Sequence, residues 1–276
     1  MALKLLDSLL SLKIFVSNYN QKMSTISEKA NSLHNSARTQ KPRGQFSNSE
    51  EYTLVDAYKV QHALIQRRIE EGFPLIGVKM GFTSKAKMTQ MGVDDMIIGQ
   101  LTADMTIHRD QPFQKKLFIH PRAEPEIAFR LSEDIIGPLT VDQLHLYIDG
   151  VAAAIEVIDS RYDNFKFSLE DVVADNCSSS AYAIGDWCEV PLGLNGLDMT
   201  MTFDGAIAAQ GNSDAILDNP FEALAAATRL AAEYGIALKS GMVVLAGAST
   251  AAHFIQESSN VTLDVDGLGV VSFRVV

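Results

Sequence analysis

The chain has 276 residues, of which 47% are hydrophobic and 21% charged, as expected for a globular protein with a sizeable core. Its formal net charge of −11 argues against nucleic acid or an anionic membrane as the main partner, because phosphate groups bind to clustered Lys and Arg. No apolar run approaches the roughly 18 residues that predict a membrane span. The only cysteines, Cys177 and Cys188, match no disulfide or metal-finger spacing, which favours a reducing compartment and a cytoplasmic location.

Residues 1–49 are predicted to form a loosely ordered extension ahead of a single domain over residues 50–276. The apolar start is interrupted by charged residues and has no small-residue cleavage site, which argues against a signal peptide. Residues 1–22 are therefore interpreted as an upstream extension of the reading frame. From Met23 the sequence is rich in Ser, Asn and Gln, a composition that favours a loose arm over a core element.

A helix and a strand that carries a cation follow this extension. The helix is predicted from a cap at Thr53 to a stop at Gly72, because apolar residues recur at helical spacing between them. The strand carries Lys79 just before Gly81, which lets the backbone turn. A lysine is seldom fully buried without a partner. Lys79 therefore belongs either to an exposed strand face or to a site that contains acidic residues.

The stretch from His120 to Phe129 contains two glutamates, Glu124 and Glu126, in an otherwise apolar run. Residues i and i+2 of a β-strand point to the same face, so the two carboxylates converge. A third, Glu156, lies in another apolar segment, where an unpaired charge is costly. Such a set predicts a metal site, with a solvated strand face as the alternative interpretation.

Oxygen ligands of this kind suit Mg²⁺ or Mn²⁺. A 2-oxo acid chelates such an ion, and the ion then stabilises negative charge that develops on the keto oxygen. The sequence has no G-x-x-x-x-G-K-[ST] loop and no G-x-S-x-G elbow, so hydride and phosphoryl transfer are unsupported.

The last hundred residues contain mostly strand signals. Hairpins are predicted around Asp204 and Asp266, and a helix is predicted from Asn219 to Gly235, because cap, first-turn proline and terminal glycine agree. A buried strand begins near Gly241 and runs into small residues, a shape that lets a ligand approach the backbone. Together with the earlier helices, these signals predict an α+β fold with a mainly antiparallel or mixed sheet.

Four polar residues are predicted to contact a ligand, and each has a structural alternative. Ser84 is also a cap for a short helix, and Asp104 is also a turn residue inside an extended segment. Ser249 and Thr250 follow the buried strand near the C-terminus and are equally well explained as strand-end turn residues.

Four motifs together resemble the 2-oxopent-4-enoate hydratase/4-oxalocrotonate decarboxylase family of the fumarylacetoacetate hydrolase superfamily. They are GVKMGFTSKAKMTQMGVDD (77–95), HPRAEPEIAF (120–129), EVIDSRYDNFKF (156–167) and VVADNCSS (172–179). The likeness extends from Thr53 to Val276, and the first and third motifs are more similar to the decarboxylases than to the hydratases. One departure is the turn AGAST at residues 246–250, where compared family members have a glycine-rich turn before a threonine.

The resemblance implies a rolled, mixed β-sheet with peripheral helices and a catalytic domain over residues 50–276. It implies Mg²⁺ held by Glu124, Glu126 and Glu156, with Mn²⁺ as a substitute. Lys79 is then expected in the pocket of the 2-oxo acid, where it neutralises developing charge or steers a proton. Arg161 is expected to hold the distal carboxylate of the substrate with its fork of donors.

The implied reaction is that of a lyase in meta-cleavage degradation of aromatic compounds. In it, 2-oxohex-3-enedioate (4-oxalocrotonate) loses its distal carboxylate as CO₂ and gives 2-hydroxypenta-2,4-dienoate. The first alternative is a hydratase that adds water to 2-hydroxypentadienoate, and the next is a hydrolase that cuts a C–C bond of an acylpyruvate. A different class of alternative is a non-catalytic partner subunit of such a hydratase. The resemblance also implies a homo-oligomer and a complex with a hydratase.

Overall fold

The computed structural model describes residues 25–47, 53–84, 88–89, 92–257 and 259–276. The prediction made for residues 1–22 lies outside this part of the chain. Within these ranges, no helix has both the length and the apolar character needed to cross a lipid bilayer.

The described residues form α-helices around two β-sheets. The helices are α1 (25–39), α2 (Leu54–Glu70), α3 (Val141–Leu144), α4 (Leu169–Ala174) and α5 (Pro220–Tyr234). The strands are β1 (Leu75–Gly81), β2 (Ile97–Thr102), β3 (Arg122–Leu131), β4 (Ile148–Ile158), β5 (Ser179–Ile184), β6 (Asp198–Phe203), β7 (Ala206–Asn212), β8 (Val243–Leu245), β9 (His253–Phe254), β10 (Asn260–Val265) and β11 (Gly269–Arg274).

The larger sheet has the strand order β2-β1-β8-β3-β4-β5, and β9 also pairs with β3. Strands β1 and β8 are parallel, whereas the other pairs in this sheet are antiparallel. The smaller sheet has the order β11-β10-β6-β7 and is antiparallel throughout. The mixed sheet and the α+β class agree with the sequence-based prediction.

Strands β3 and β4 lie in the middle of the larger sheet, and nearly all of their residues are buried, as is typical of strands covered on both faces. The short strand β8 lies between β1 and β3 and ends at Leu245. After this residue the chain stays beside β3, where Ser249 N–H donates to the carbonyl oxygen of Pro125 (3.0 Å), and it then forms β9. Strand β1 therefore pairs with β8 only as far as Leu245 and loses this neighbour beyond it.

The N-terminal segment differs from the predicted loose arm, because residues 25–39 form helix α1 and pack into the core. Ile26, Ala30 and Leu33 are all buried. Their spacing of four and three residues places them on one helix face, but the surrounding Ser and Asn residues dilute this signal in the sequence. Farther on, the backbone N–H of Phe46 donates to the buried Asp171 carboxylate (3.0 Å), which fastens the end of the segment to α4.

Replacing Leu33 with alanine is expected to lower the free energy of unfolding by about 2 to 5 kcal/mol, the usual effect of deleting a fully buried leucine side chain. Leu33 is 0% exposed, so its removal leaves a cavity. Urea unfolding followed by circular dichroism measures the change. Asn35→Ala alters an exposed residue of the same helix and is the control. An unchanged unfolding midpoint for Leu33→Ala would contradict the packing of α1.

Candidate active site

Three buried carboxylates converge in the larger sheet. Glu124 and Glu126 lie two residues apart on β3, and Glu156 of β4 is the register partner of Glu124. Each of the three side chains offers one oxygen, and these atoms lie within 4.8 Å of one another. The convergence predicted for Glu124 and Glu126 is therefore observed, and the antiparallel register brings the third carboxylate to them. Because all three are buried, the alternative of a solvated strand face does not apply.

Lys79 is the cation of this cluster. Its Nζ lies 3.0 Å from Oε2 of Glu156 and donates to the carbonyl oxygen of Cys177 (3.3 Å). Only 4% of the residue is exposed, which excludes the exposed-face interpretation. Burial disfavours the ammonium, but the combined attraction of Glu156, Glu124 and Glu126 outweighs it, so the pKa of Lys79 is raised and the side chain remains charged.

The cluster contains three carboxyl groups and the ammonium group of one lysine. Burial raises the pKa of Glu126 well above its usual value, and the nearby charge of Glu156 raises it further. Burial also raises the pKa of Glu156, although Lys79 opposes this effect. A nearby cation or a proton would therefore stabilise these buried carboxylates.

A hard divalent cation fits this set of ligands. Oε2 of Glu126 accepts the backbone N–H of Gly247 (2.8 Å), whereas its Oε1 is buried and has no hydrogen-bond donor among the described residues. Carboxylate oxygens are the ligands that Mg²⁺ and Mn²⁺ prefer, and buried charges are stable when they coordinate a metal. Glu124, Glu126 and Glu156 are therefore the residues that would hold such an ion.

Gly247 is a residue of this site that sequence reasoning missed. Its φ of +101° favours glycine, and a Cβ at this position would lie 2.0 Å from Oγ1 of Thr83. The sequence feature that could have indicated this residue is the small-residue turn at residues 246–250, whose glycine brings a backbone N–H to Glu126.

A cavity of about 330 Å³ lies beside the carboxylates, a size suited to a small organic acid. Its lining combines charged groups with apolar and aromatic side chains; it includes Lys79, Arg122, Glu124, Phe82, Phe165 and Phe167. Arg122 is a second residue that sequence reasoning missed. Its guanidinium carbon lies 4.1 Å from the ring centroid of Phe165 and 4.2 Å from that of Phe254.

A turn in the left-handed region supports Lys79. The three residues from Asn176 to Ser178 have φ values of 52°, 53° and 59°, which direct the carbonyl oxygen of Cys177 towards Lys79. The Asn176 amide holds this turn because it donates to the backbone oxygen of Gln100 and accepts its N–H, both at 2.8 Å. These two bonds satisfy backbone groups of β2 at the edge of the sheet. In the sequence this segment is recognisable only as a run of short polar residues.

Replacing Asn176 with alanine is expected to cost about 2 to 4 kcal/mol of stability, because the change leaves two buried backbone groups unpaired and alanine disfavours a positive φ. Chemical denaturation measures the loss. Asn164 also has a positive φ (58°) but is exposed, so Asn164→Ala isolates the conformational cost. Equal losses in the two variants would show that the Gln100 contacts contribute nothing.

The structure places two predicted site residues at another cavity, of about 590 Å³. Both Arg161 and Asp104 line it. The Arg161 guanidinium bonds to the Asp175 carboxylate, and its Nη1 donates to the Asp159 carbonyl oxygen (2.6 Å). Asp104 pairs with Arg68 at 2.5 Å. The contacts of these two residues are therefore with neighbouring protein groups, and their predicted roles towards a substrate stay predictions.

The remaining candidates make local contacts. The Ser84 carbonyl oxygen accepts the N–H of Met88 (2.9 Å), as at the start of a helical turn. Ser249 is buried and its hydroxyl donates to the Pro125 carbonyl oxygen (3.4 Å). The Thr250 hydroxyl donates to the carbonyl oxygen of Ala251 (3.1 Å). These bonds fit the turn interpretation, and substrate contact by any of the three stays a prediction.

Comparison with known proteins places the chain in a family. The family profile described as fumarylacetoacetate (FAA) hydrolase C-terminal matches residues 83–276. A 4-oxalocrotonate decarboxylase from a Pseudomonas species is 44% identical over 248 residues, which cover 90% of this chain and 97% of that protein. A 2-hydroxyhexa-2,4-dienoate hydratase from Comamonas testosteroni is 32% identical over 244 residues, or 87% of this chain and 92% of that protein.

A solved structure agrees with these sequence relatives. The 4-oxalocrotonate decarboxylase from Pseudomonas putida G7, complexed with magnesium and adipate, matches with a TM-score of 0.88 and 33% identity, covering 92% of this chain and 98% of that one. The chain belongs to the fumarylacetoacetate hydrolase family. The family and the fold of a rolled mixed sheet with peripheral helices, both predicted from the sequence, are confirmed.

Proposed function

We propose that this chain is a Mg²⁺-dependent carboxy-lyase that converts 2-oxohex-3-enedioate (4-oxalocrotonate) to 2-hydroxypenta-2,4-dienoate and CO₂ in the degradation of aromatic compounds. The observation that carries the proposal is the buried cluster of Glu124, Glu126 and Glu156 with Lys79 at 3.0 Å from Glu156. Relatives named 4-oxalocrotonate decarboxylase, at 44%, 37% and 36% identity, support the substrate. The magnesium bound by the P. putida G7 protein supports the metal.

The residues of the cluster have different roles in the proposed reaction. Glu124, Glu126 and Glu156 hold Mg²⁺, which when bound supplies electrophilic stabilisation of the negative charge that develops on a 2-oxo group. Lys79 keeps its proton at Nζ because the surrounding carboxylates raise its pKa, so it offers a fixed positive charge beside Glu156. The apolar walls of the cavity, among them Phe82 and Phe167, exclude water and thereby strengthen these electrostatic interactions.

In the proposed reaction the bond between C5 and C6 breaks and C6 leaves as CO₂. The electron pair of that bond forms the C4–C5 double bond, the former C3–C4 double bond moves to C2–C3, and the 2-oxo oxygen takes up the negative charge and then a proton. Atoms and charge therefore balance without an oxidant or a second substrate. The protein must bind a dianion and stabilise charge at its 2-oxo end.

Hydration of 2-hydroxypentadienoate is the second candidate function, favoured by relatives named as hydratases at 32% to 34% identity. Hydration requires a base that activates water. A relative named 4-oxalocrotonate decarboxylase is more similar to this chain, at 44% identity, which supports decarboxylation as the first candidate. A non-catalytic partner subunit is the third, and the complete set of ligands opposes it because a scaffold has no use for three converging buried carboxylates.

One assay separates the first two candidates. Purified protein with Mg²⁺ is given 2-oxohex-3-enedioate or 2-hydroxypentadienoate, and CO₂ release is compared with formation of the 4-hydroxy-2-oxo acid. We expect rapid CO₂ release that chelation of the metal abolishes. Faster hydration than decarboxylation would overturn the proposal in favour of the hydratase, and failure to bind Mg²⁺ in a calorimetric titration would favour the partner subunit.

We also propose that the protein forms a homo-oligomer, associates with a hydratase and works in the cytoplasm. Exposed apolar side chains such as Ile136, Leu146 and Leu192 support the first two statements, because they are available for subunit contacts. The free thiols Cys177 and Cys188 support the third, since a reducing compartment keeps thiols unpaired. Light scattering after size-exclusion chromatography, alone and with a hydratase, tests the assembly.

A further inference from the structure

Arg122 lies in the cavity of the proposed active site, on the same strand as two of the carboxylates. It precedes Glu124 by two residues on β3, so its side chain and those of Glu124 and Glu126 leave the strand on the same face. Two residues of a strand span about 7 Å, a distance comparable with the length of an extended six-carbon chain. The cavity therefore has a cation at one place and the carboxylate cluster at another, separated by the length of a small diacid.

Two aromatic rings hold the guanidinium of Arg122. Its carbon lies 4.1 Å from the Phe165 ring centroid and 4.2 Å from that of Phe254, and Phe254 is the register partner of Arg122 across β9. Such contacts use the face of the planar group, whereas its N–H donors point outwards from its edge. Nε of Arg122 is buried and has no acceptor among the residues that the structure describes. A planar acceptor such as a carboxylate suits that edge.

Arg161, the other arginine considered for this role, is engaged differently. Its Nε bonds to the Asp175 carboxylate, and Nη1 donates to the Ser180 hydroxyl (2.6 Å) and the Asp159 carbonyl oxygen (2.6 Å). Its partners therefore already belong to the protein, and it faces the other cavity. Arg122 is the arginine that shares a cavity with Lys79 and Glu124.

We propose that Arg122, held between Phe165 and Phe254, binds the distal carboxylate of the substrate and so selects diacids over monoacids with the same 2-oxo head. This inference rests on the proposed function and deepens it. The carboxylate that Arg122 would bind is the group that leaves as neutral CO₂. Because this carboxylate loses its charge as the C5–C6 bond breaks, an ion pair with it stabilises the bound substrate at least as much as the transition state. Loss of Arg122 should therefore weaken binding without lowering kcat.

The test compares two probes that differ only at the distal end. Calorimetric titration of the Mg²⁺-loaded enzyme measures the Kd of 2-oxohexanedioate and of 2-oxohexanoate, which lack the double bond needed for decarboxylation. For Arg122→Met we expect the affinity for the diacid to fall about 10- to 100-fold, as on loss of a charge-assisted hydrogen bond. The affinity for the monoacid should stay within about twofold of the wild-type value. Arg122→Lys, which keeps the charge but not the fork, should give an intermediate loss.

Arg130 provides the matched control. It lies on the same strand, its guanidinium carbon is 5.0 Å from the Trp187 ring, and it pairs with Asp149 (2.6 Å). Arg130→Met should leave both affinities unchanged. With 2-oxohex-3-enedioate as substrate, Arg122→Met should raise KM by about the same factor as the Kd of the diacid and should not lower kcat.

Each other result would overturn the inference. An unchanged diacid affinity in Arg122→Met, while the wild type still releases CO₂, would remove the role of Arg122 and leave the proposed function intact. An equal loss for diacid and monoacid would show a general disturbance of the cavity instead of selection. A wild-type enzyme that binds neither probe in the presence of Mg²⁺ would overturn the proposed function as well.

Discussion

Glu126→Gln is expected to abolish calorimetric Mg²⁺ binding and to reduce CO₂ release by about 10³-fold, the scale of losing a group that stabilises charge in the transition state. Glutamine keeps the shape of the side chain, and its amide oxygen still accepts the backbone N–H of Gly247. The variant therefore removes one negative charge with little change in packing. The amide nitrogen then replaces Oε1, the oxygen that has no hydrogen-bond donor among the described residues and is therefore available to a cation.

The same variant should have the opposite effect on the metal-free protein. Glu124, Glu126 and Glu156 repel one another in the metal-free protein, so removing one charge is expected to raise the apparent Tm or leave it unchanged. Added Mg²⁺ should raise the Tm of the wild type and not that of the variant.

Glu133 supplies the control for this experiment. It is exposed and lies two residues beyond the end of β3, so Glu133→Gln removes a negative charge near the end of the same strand without changing the cluster. It should bind Mg²⁺ and release CO₂ as the wild type does. A Glu126→Gln protein with wild-type Mg²⁺ affinity would contradict the assignment of Glu126 as a ligand.

Lys79→Met is expected to lower kcat for decarboxylation by about 10²- to 10⁴-fold, the range for losing a group that handles charge or a proton in the transition state. The methionine side chain has a similar length and fills the same space. The variant keeps all three carboxylates, so it should still bind Mg²⁺ in a calorimetric titration. Retained metal binding with lost turnover distinguishes Lys79 from the ligands.

Lys116→Met is the matched control, because Lys116 is exposed and lies outside the cavity lining. It should have wild-type kcat. Undiminished turnover in Lys79→Met would show that the buried ammonium only balances charge in the resting protein. A loss of Mg²⁺ binding in this variant would instead show that Lys79 positions Glu156.

The sequence predicts those parts of the site that depend on short spacing. The alternation of β-strands is enough to place Glu124 and Glu126 on one face, and apolar flanks are enough to select Glu156. The register that joins Glu156 to Glu124 depends on the pairing of two distant strands, which no local pattern encodes.

The two arginines show why the rest of the site was harder to predict. Arg161 stands among charged and aromatic residues, as binding residues often do, but its partner Asp175 lies in a later segment and takes up its donors. Strand alternation places Arg122 on the same face as Glu124 and Glu126, but its ring partner Phe254 lies far along the chain and pairs with it only in the folded sheet. Helix α1 was not predicted for a related reason. Its few apolar residues are diluted by polar ones, and only the folded structure shows that they pack into the core.

The early end of β8 has a consequence for how this family can diversify. The carboxylates belong to β3 and β4 in the middle of the sheet, whereas one side of the cavity is formed by Ala251 and Ala252 in the connection from β8 to β9. This connection runs beside β3 and is bonded to it, but it lies outside the strands that carry the carboxylates. Insertions or substitutions there can reshape substrate preference while the metal ligands keep their register. One scaffold can thus supply enzymes that share an activated 2-oxo acid and differ in what happens at its far end.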